Sequence, residues 1–359
     1  MISKRVIRQF KKHKLGVFGF WIVVFLYILM IFSDFIAPYS YKTTHSKFSY
    51  APPTKIHLFH EGKFVGPFVY GLKKERDPIT FLLNYQEDKS QIYKIRLFVK
   101  GEEYSFFGIK SQLHLFGLEA DPQEAMILLF GADRFGRDVF SRTLVGSKVS
   151  LTACLLGTFI SLVIGAIIGA ISGYYGGWID IAIQRFIEIL RSFPRIPLWL
   201  ALSVILPPSW PSTWVYIGII IVLSFIGWTG VARVVRGMTL SLKEKDFVLA
   251  AKVCGAKDFK IITRHIIPNL SSYLIVVATL SIPGMILGES TISFLGLGIK
   301  EPMTSWGLLL KDAQSLTEIA VHPWLIIPGA FIMISVLAFN FMGDGLRDAI
   351  DPYRTVEKV

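Results

Sequence analysis

The chain has 359 residues, 52% of them hydrophobic and 18% charged, with a net charge of +12 and a mean hydropathy of +0.52. That balance excludes an ordinary soluble globule and a disordered chain and describes a membrane protein. The positive excess concentrates in short segments beside apolar stretches, so it needs no nucleic acid to explain it.

A basic segment, 1–14, carries Lys4, Arg5, Arg8, Lys11, Lys12 and Lys14. The first apolar stretch follows at 15–36, long enough to cross a bilayer at roughly 20 residues per crossing. It is too long for a signal-peptide core and has no small-residue cleavage site, so it reads as a retained anchor. Basic residues in short flanking segments mark the cytoplasmic side, which places the amino terminus inside.

Residues 37–128 differ in composition, with Lys, Glu, Tyr and Phe prominent. The run from Gln91 to Lys110 reads as a hairpin, with alternation over Ile92–Val99, a turn at Lys100–Glu102 and a return strand from Tyr104. A small β-rich extracytoplasmic insertion is expected there.

Five further apolar stretches follow: Val149–Gly173, Ile179–Leu206 with interruptions, Val215–Val231, Leu270–Leu295 and Trp324–Met342. The sum is an all-α polytopic protein of about six spans, its core at 129–345 and a cytoplasmic tail at 346–359. Trp210, Trp214 and Trp324 fall at span ends, where amphipathic rings favour the headgroup zone. Gly157, Ser161, Gly165, Gly169 and Gly173 form a stripe of small residues that suits close helix packing, either within the chain or against a partner subunit.

The third stretch is punctuated by Asp180, Arg185, Glu188, Arg191 and Arg195 and broken by Pro194 and Pro197. Ionisable groups at membrane depth cost about 3 kcal/mol on insertion scales and normally face protein or water. Arg195 is therefore a candidate for the translocation path, with snorkelling to an interface as its alternative. Glu289, beside Pro283 and Gly284 in the fifth stretch, is a second path candidate, with structural pairing as its alternative.

Between the fourth and fifth stretches, 233–268 is polar and basic, and an even count of crossings places it inside. Ala250 and Ala251 leave a side-chain-poor helical surface, Gly255 supplies a break, and a second helical pattern runs to Pro268. A helix stripped on one side can be approached closely by another protein, so this loop reads as a docking element.

Catalytic and metal motifs are not found. Gly131, Gly136, Arg137 and Asp138 have the glycine spacing of a phosphate loop but Arg-Asp where Lys-Ser/Thr is needed, and the segment reads as the entry to the second span. Zinc-protease and nucleophile-elbow patterns are missing. Cys154 and Cys254 lie in a span and in the cytoplasmic loop, so no disulfide and no metal-ligand spacing are expected.

The stretch Asp246–Asn269 resembles the cytoplasmic EAA signature of binding-protein-dependent ABC importer permeases. Asp34–Ser40, Gly131–Leu151 and Phe341–Tyr353 resemble segments of the dipeptide, oligopeptide and nickel branch, in the same order. Leu249 stands where the signature carries glutamate, and Asp246 one turn earlier is the nearest acid.

The resemblance implies the type I importer permease fold and a membrane subunit with no catalytic centre. Asp246, Ala250, Ala251, Gly255 and Pro268 would belong to a coupling helix seated on one or two cytoplasmic ATP-binding subunits, where ATP and magnesium are bound. It implies a second, different permease subunit, an extracytoplasmic substrate-binding protein and surrounding lipid as partners. It also implies a bacterial or archaeal plasma membrane, the inner one in a Gram-negative cell, with both termini cytoplasmic. Peptide-like solutes, nickel chelates and oligosaccharides are all open as cargo. A gradient-driven carrier or channel, a membrane enzyme and a sensor are the rival classes.

Overall fold

The computed structural model describes residues 4–76, 78, 83–106 and 108–350. Parts of the expected segments 1–14, 37–128 and 346–359 lie outside these residues, including Asp351–Tyr353 of the last family-like segment. The basic amino terminus forms α1 (Lys4–Lys12), followed by α2 (Lys14–Ile31) and a short α3 (Ser33–Ile36). Four strands, β1 (His57–His60), β2 (Lys63–Arg76), β3 (Leu83–Phe106) and β4 (Ile109–Leu118), then form one antiparallel sheet in sequential order. The helical part comprises α4 (Val139–Tyr175), α5 (Gly177–Ser192), α6 (Arg195–Val204), α7 (Ser212–Leu242), α8 (Asp246–Val253) and α9 (Asp258–Ile261). It continues through α10 (Ser271–Phe294), α11 (Trp306–Leu310), α12 (Leu316–Val321) and α13 (Ile327–Ile350).

Among the described residues, five helical segments are long and apolar enough to cross a membrane: Lys14–Ile31, Val139–Tyr175, Ser212–Leu242, Asp258–Phe294 and Pro323–Ile350. The expected third span is instead divided into α5 and α6, of 16 and 10 residues. Phe193 is extended at the end of α5, and Pro194 stands as the N-cap of α6. A residue before proline is pushed out of the helical region, which explains the division.

The expected hairpin is also displaced. β3 runs unbroken through Lys100–Glu102, and its pairing with β4 shifts register between Lys100 and Tyr104. The reversal comes just before Ile109, where Gly108 has φ 86°. Gly101 serves close packing in place of a turn, since a Cβ there would lie 2.6 Å from His114 Cδ2. His114 is buried and bonds the carbonyls of Ala37 and Glu102 through its two ring nitrogens.

The chain divides into two compact units. The second contains 26–150 and 293–331. Its sheet packs Val69 and Leu118 against Phe48, Met126, Ile127 and Leu128. Trp306, fully buried, donates its indole N–H to the Thr143 carbonyl at 2.9 Å, and its backbone N–H goes to the Ser150 hydroxyl. Trp324, at the start of the last long apolar segment, donates its indole N–H to the Ala132 carbonyl at 3.0 Å.

The first unit is built on 151–292 with described residues of 1–25 and 332–359. In it the small-residue stripe meets α7. A Cβ on Gly165 would lie 2.7 Å from the Trp228 carbonyl oxygen, one on Gly169 2.4 Å from that of Ala232, and one on Gly173 2.7 Å from that of Arg236. Of the two uses open to the stripe, internal packing is the one these glycines serve, and it is the contact that small residues permit between helices in lipid. Leucine at position 169 should wedge α4 off α7 and cost about 1–3 kcal/mol or more. Gly237→Leu is the control, because a Cβ at Gly237 meets nothing within 4 Å. Thermal unfolding of the purified variants should show a lowered midpoint for Gly169→Leu alone.

Candidate functional site

The connection after α7 begins at Lys243, so Arg233 and Arg236 belong to α7 itself. α8 starts at Asp246 after an extended Lys245, which puts a carboxylate at the positive end of the helix. It closes with a Schellman arrangement. Gly255 at φ 75° donates its N–H to the Lys252 carbonyl at 2.9 Å, and Ala256 donates to the Ala251 carbonyl at 3.0 Å. The left-handed conformation is what glycine supplies without a Cβ clash.

α9 then leads through a π turn at Ile262–Ile266 and a 3-10 turn at Ile267–Leu270 into α10. Pro268 sits in that 3-10 turn and lacks an N–H for a regular helical bond, so the backbone changes its hydrogen-bond pattern there.

This segment is held from below by an apolar cluster. Val248 of α8, Ile261 of α9, and Ile262, Ile266 and Leu270 pack with Ala166, Ala170 and Tyr174 of α4 and with Val231 and Val235 of α7. The Tyr174 hydroxyl donates to Asp258 Oδ1 at 2.6 Å, and Lys252 Nζ lies 4.9 Å from the Tyr174 ring centroid. The anchor is therefore one ring on α4 gripping both halves of the broken helix.

The outward surface is more apolar than two alanines. Asp246, Ala250, Gly255 and Pro268 are exposed, whereas Ala251 is half-buried against the cluster beneath. Val253 is 89% exposed and Phe259 77%, with Phe247 and Leu249 also outward. Attention to small residues missed these four. The usable signal was a set of bulky apolar side chains in an otherwise charged segment. Large exposed apolar groups on a well-anchored element mark an interaction surface.

The two path candidates have different surroundings. Arg195 is exposed at the first position of α6, and Arg191 of α5 lies within electrostatic reach of both Arg195 and Arg233 of α7. Glu289 is fully buried in α10, with Cys154 of α4 and Tyr216 of α7 in its electrostatic surroundings. Tyr216 is also hydrogen-bonded to Thr152 at 2.8 Å. Between α5 and α7, Asp180 accepts from both ends of the Arg236 guanidinium and from Ser172 of α4.

Sequence reasoning did not find an ionic network in the second unit. Asp133, nearly fully buried, accepts from Arg137 Nε at 2.7 Å, from Arg142, and from the backbone N–H groups of Phe135 and Arg137. Glu301 accepts from Arg137 at 2.8 Å and from Arg142 at 3.3 Å. Beside them Asp138 caps α4, accepting from Phe140 and Ser141 N–H and from the Ser141 hydroxyl. The phosphate-loop-like spacing of this segment thus serves a cap and an ion cluster.

Helical spans with a small-residue seam, together with an anchored helix break that carries apolar side chains outward between two of them, define a polytopic membrane protein. The family model described as binding-protein-dependent transport system inner membrane component matches residues 165–356. A second, described as the N-terminal TM domain of oligopeptide transport permease C, matches residues 3–53. The chain belongs to the family of binding-protein-dependent transport system inner membrane components.

An oligopeptide transport system permease protein, OppC, of Haemophilus influenzae is 49% identical over 224 residues, 62% of this chain and 70% of that one. A dipeptide transport system permease protein, DppC, of Lactococcus lactis is 34% identical over 350 residues, 96% of this chain and 89% of that one. A solved structure of the MetNI methionine ABC transporter in inward-facing conformations aligns with a TM-score of 0.43 at 18% identity, covering 58% of this chain and 97% of that one.

Burial pushes the Asp138 carboxyl up to about 6, with the charge of Asp133 adding to the effect and the bonds from Ser141 and Phe140 opposing it. A raised carboxyl means the folded chain holds a proton that the unfolded chain releases. The associated stability is full below the ordinary value of about 4 and is lost as pH rises through about 6, amounting to about 3 kcal/mol. Asp138→Asn should flatten this slope, which unfolding midpoints of the two proteins between pH 4 and 7 will read.

Proposed function

We propose that the chain is the membrane-spanning permease subunit of an ATP-driven importer, carrying a peptide-like solute delivered by an extracytoplasmic binding protein. The observation that carries this reading is the α8–α9 segment, apolar outward and clamped to α4 and α7 inward. Such an element transmits a push from a docked subunit directly to two spanning helices. Peptide cargo is supported by the two relatives, an oligopeptide and a dipeptide transport system permease protein.

The remaining roles follow from that assignment. Asp246, Ala250, Ala251, Gly255 and Pro268 form and terminate the coupling element. Val253 and Phe259 fill the groove of a cytoplasmic ATPase subunit. ATP and magnesium reside in that partner, and this chain binds no cofactor of its own. A second, different permease completes the path, to which Arg195 and Glu289 contribute. Basic segments at 4–14 and 243–264 lie on the cytoplasmic side with both termini, in the plasma membrane of a bacterium or archaeon.

The test is ATP hydrolysis in lipid nanodiscs holding this chain, its partner permease and the ATPase subunits, with a peptide-loaded binding protein added. Hydrolysis should rise on addition, and Val253→Asp with Phe259→Asp should abolish that rise while the complex still assembles or assembles more weakly. Undiminished stimulation in the double variant would sink the assignment of the coupling surface. Peptide flux by this chain alone, without nucleotide, would sink the importer reading itself.

A further inference from the structure

The β3–β4 hairpin carries a second apolar surface that the transport reading leaves unused. Ile109 is 72% exposed and Phe98 60%, with Leu113 also outward. All three belong to paired strands whose register aligns Phe106 with Ile109 and Lys100 with Leu113. Lys94, Arg96, Lys100 and Lys110 are interleaved with them and exposed. An apolar face rimmed by long basic side chains suits the headgroup zone of a bilayer, where rings and aliphatic groups enter the acyl boundary and amines meet lipid phosphates.

Two ring contacts fix the depth of this hairpin. The first span ends at Ile31, and Phe32 immediately after it stacks on Phe106 with centroids 5.7 Å apart and ring planes 23° apart. Phe35 of α3 meets Phe98 with centroids 6.4 Å apart. Phe98 has φ 57°, a backbone region that bulky residues rarely occupy. The hairpin is thus tied at two points to the residues where the span leaves the bilayer. A second apolar tip, Phe59 and Phe64 on β1 and β2, makes its ring contact internally, with centroids 5.5 Å apart.

We propose that the β3–β4 hairpin lies in the membrane interface, with Phe98, Ile109 and Leu113 inserted among the lipids beside the end of the first span. The sheet then acts as a float that sets the height and tilt of α2, and the lysines confer a preference for anionic headgroups. This depends only on α2 spanning the bilayer, so it stands or falls separately from the cargo and the coupling element.

The test uses the full chain with Cys154→Ala and Cys254→Ser, and single cysteines in place of Phe98, Ile109 or Phe64, each carrying an environment-sensitive nitrobenzoxadiazole label. Reconstitution is into vesicles of phosphatidylcholine with phosphatidylglycerol. Labels at 98 and 109 should emit to the blue, be quenched by lipids bearing a nitroxide near the headgroup, and be shielded from aqueous iodide. The label at 64 should be quenched by iodide several-fold more. The label at 109 keeps the test valid if the change at 98 disturbs the strand. Iodide quenching at 98 and 109 equal to that at 64 overturns the proposal. Shielding that appears only when the partner permease or binding protein is added also overturns it and makes the face a protein docking surface.

Discussion

The closest constraint in the first unit is the backbone contact between α4 and α7. Gly165, Gly169 and Gly173 place bare backbone against the carbonyls of Trp228, Ala232 and Arg236, at separations a Cβ would violate. In lipid, where apolar solvent offers no hydrophobic drive to pair helices, such close approach is a main source of association. The seam sets the register of α7, and with it the position of Arg236, which pairs with Asp180 of α5.

That register continues into the α8–α9 segment. Ala166, Ala170 and Tyr174 lie on α4 among the same turns as the glycines, and together with Val231 and Val235 of α7 they make the bed on which Val248 and Ile261 rest. A helix break at Gly255 alone would leave two short, independently mobile pieces, since helices this short are marginal on their own. The Tyr174 to Asp258 bond and the contact of Lys252 with the same ring hold both pieces to one spanning helix. Force applied at Val253 or Phe259 therefore reaches α4 and α7 through packed side chains.

Much of this was legible in the sequence, and the failures have physical causes. Continuous apolar length revealed the five long apolar helices found among the described residues because bilayer thickness imposes it, and Gly255 announced its helix end because a left-handed residue is nearly a glycine privilege. The division at Phe193–Pro194 was visible as proline but was outweighed by the apolar run around it. Lys100–Glu102 imitated a turn, since glycine among charges suits both a turn and an irregular strand, and only the position of His114 decides between them. The Asp133, Arg137, Arg142 and Glu301 cluster was hidden because Glu301 is remote in sequence from the arginines it binds. The outward Val253 and Phe259 were hidden by the emphasis on alanine, whose small size matters less here than the bulky neighbours it exposes.

Cys254, exposed at the end of α8, offers a native probe of whether this surface is where an ATPase subunit sits. In a Cys154→Ala background, its rate of maleimide labelling would be measured in nanodiscs holding this chain and its partner permease, before and after the cytoplasmic ATPase subunits are added. Docking predicts that labelling slows strongly on their addition and is unaffected by the binding protein alone. Unchanged labelling in a complex that hydrolyses ATP in response to loaded binding protein would contradict the account, because coupling would then be taking place somewhere other than the α8–α9 surface.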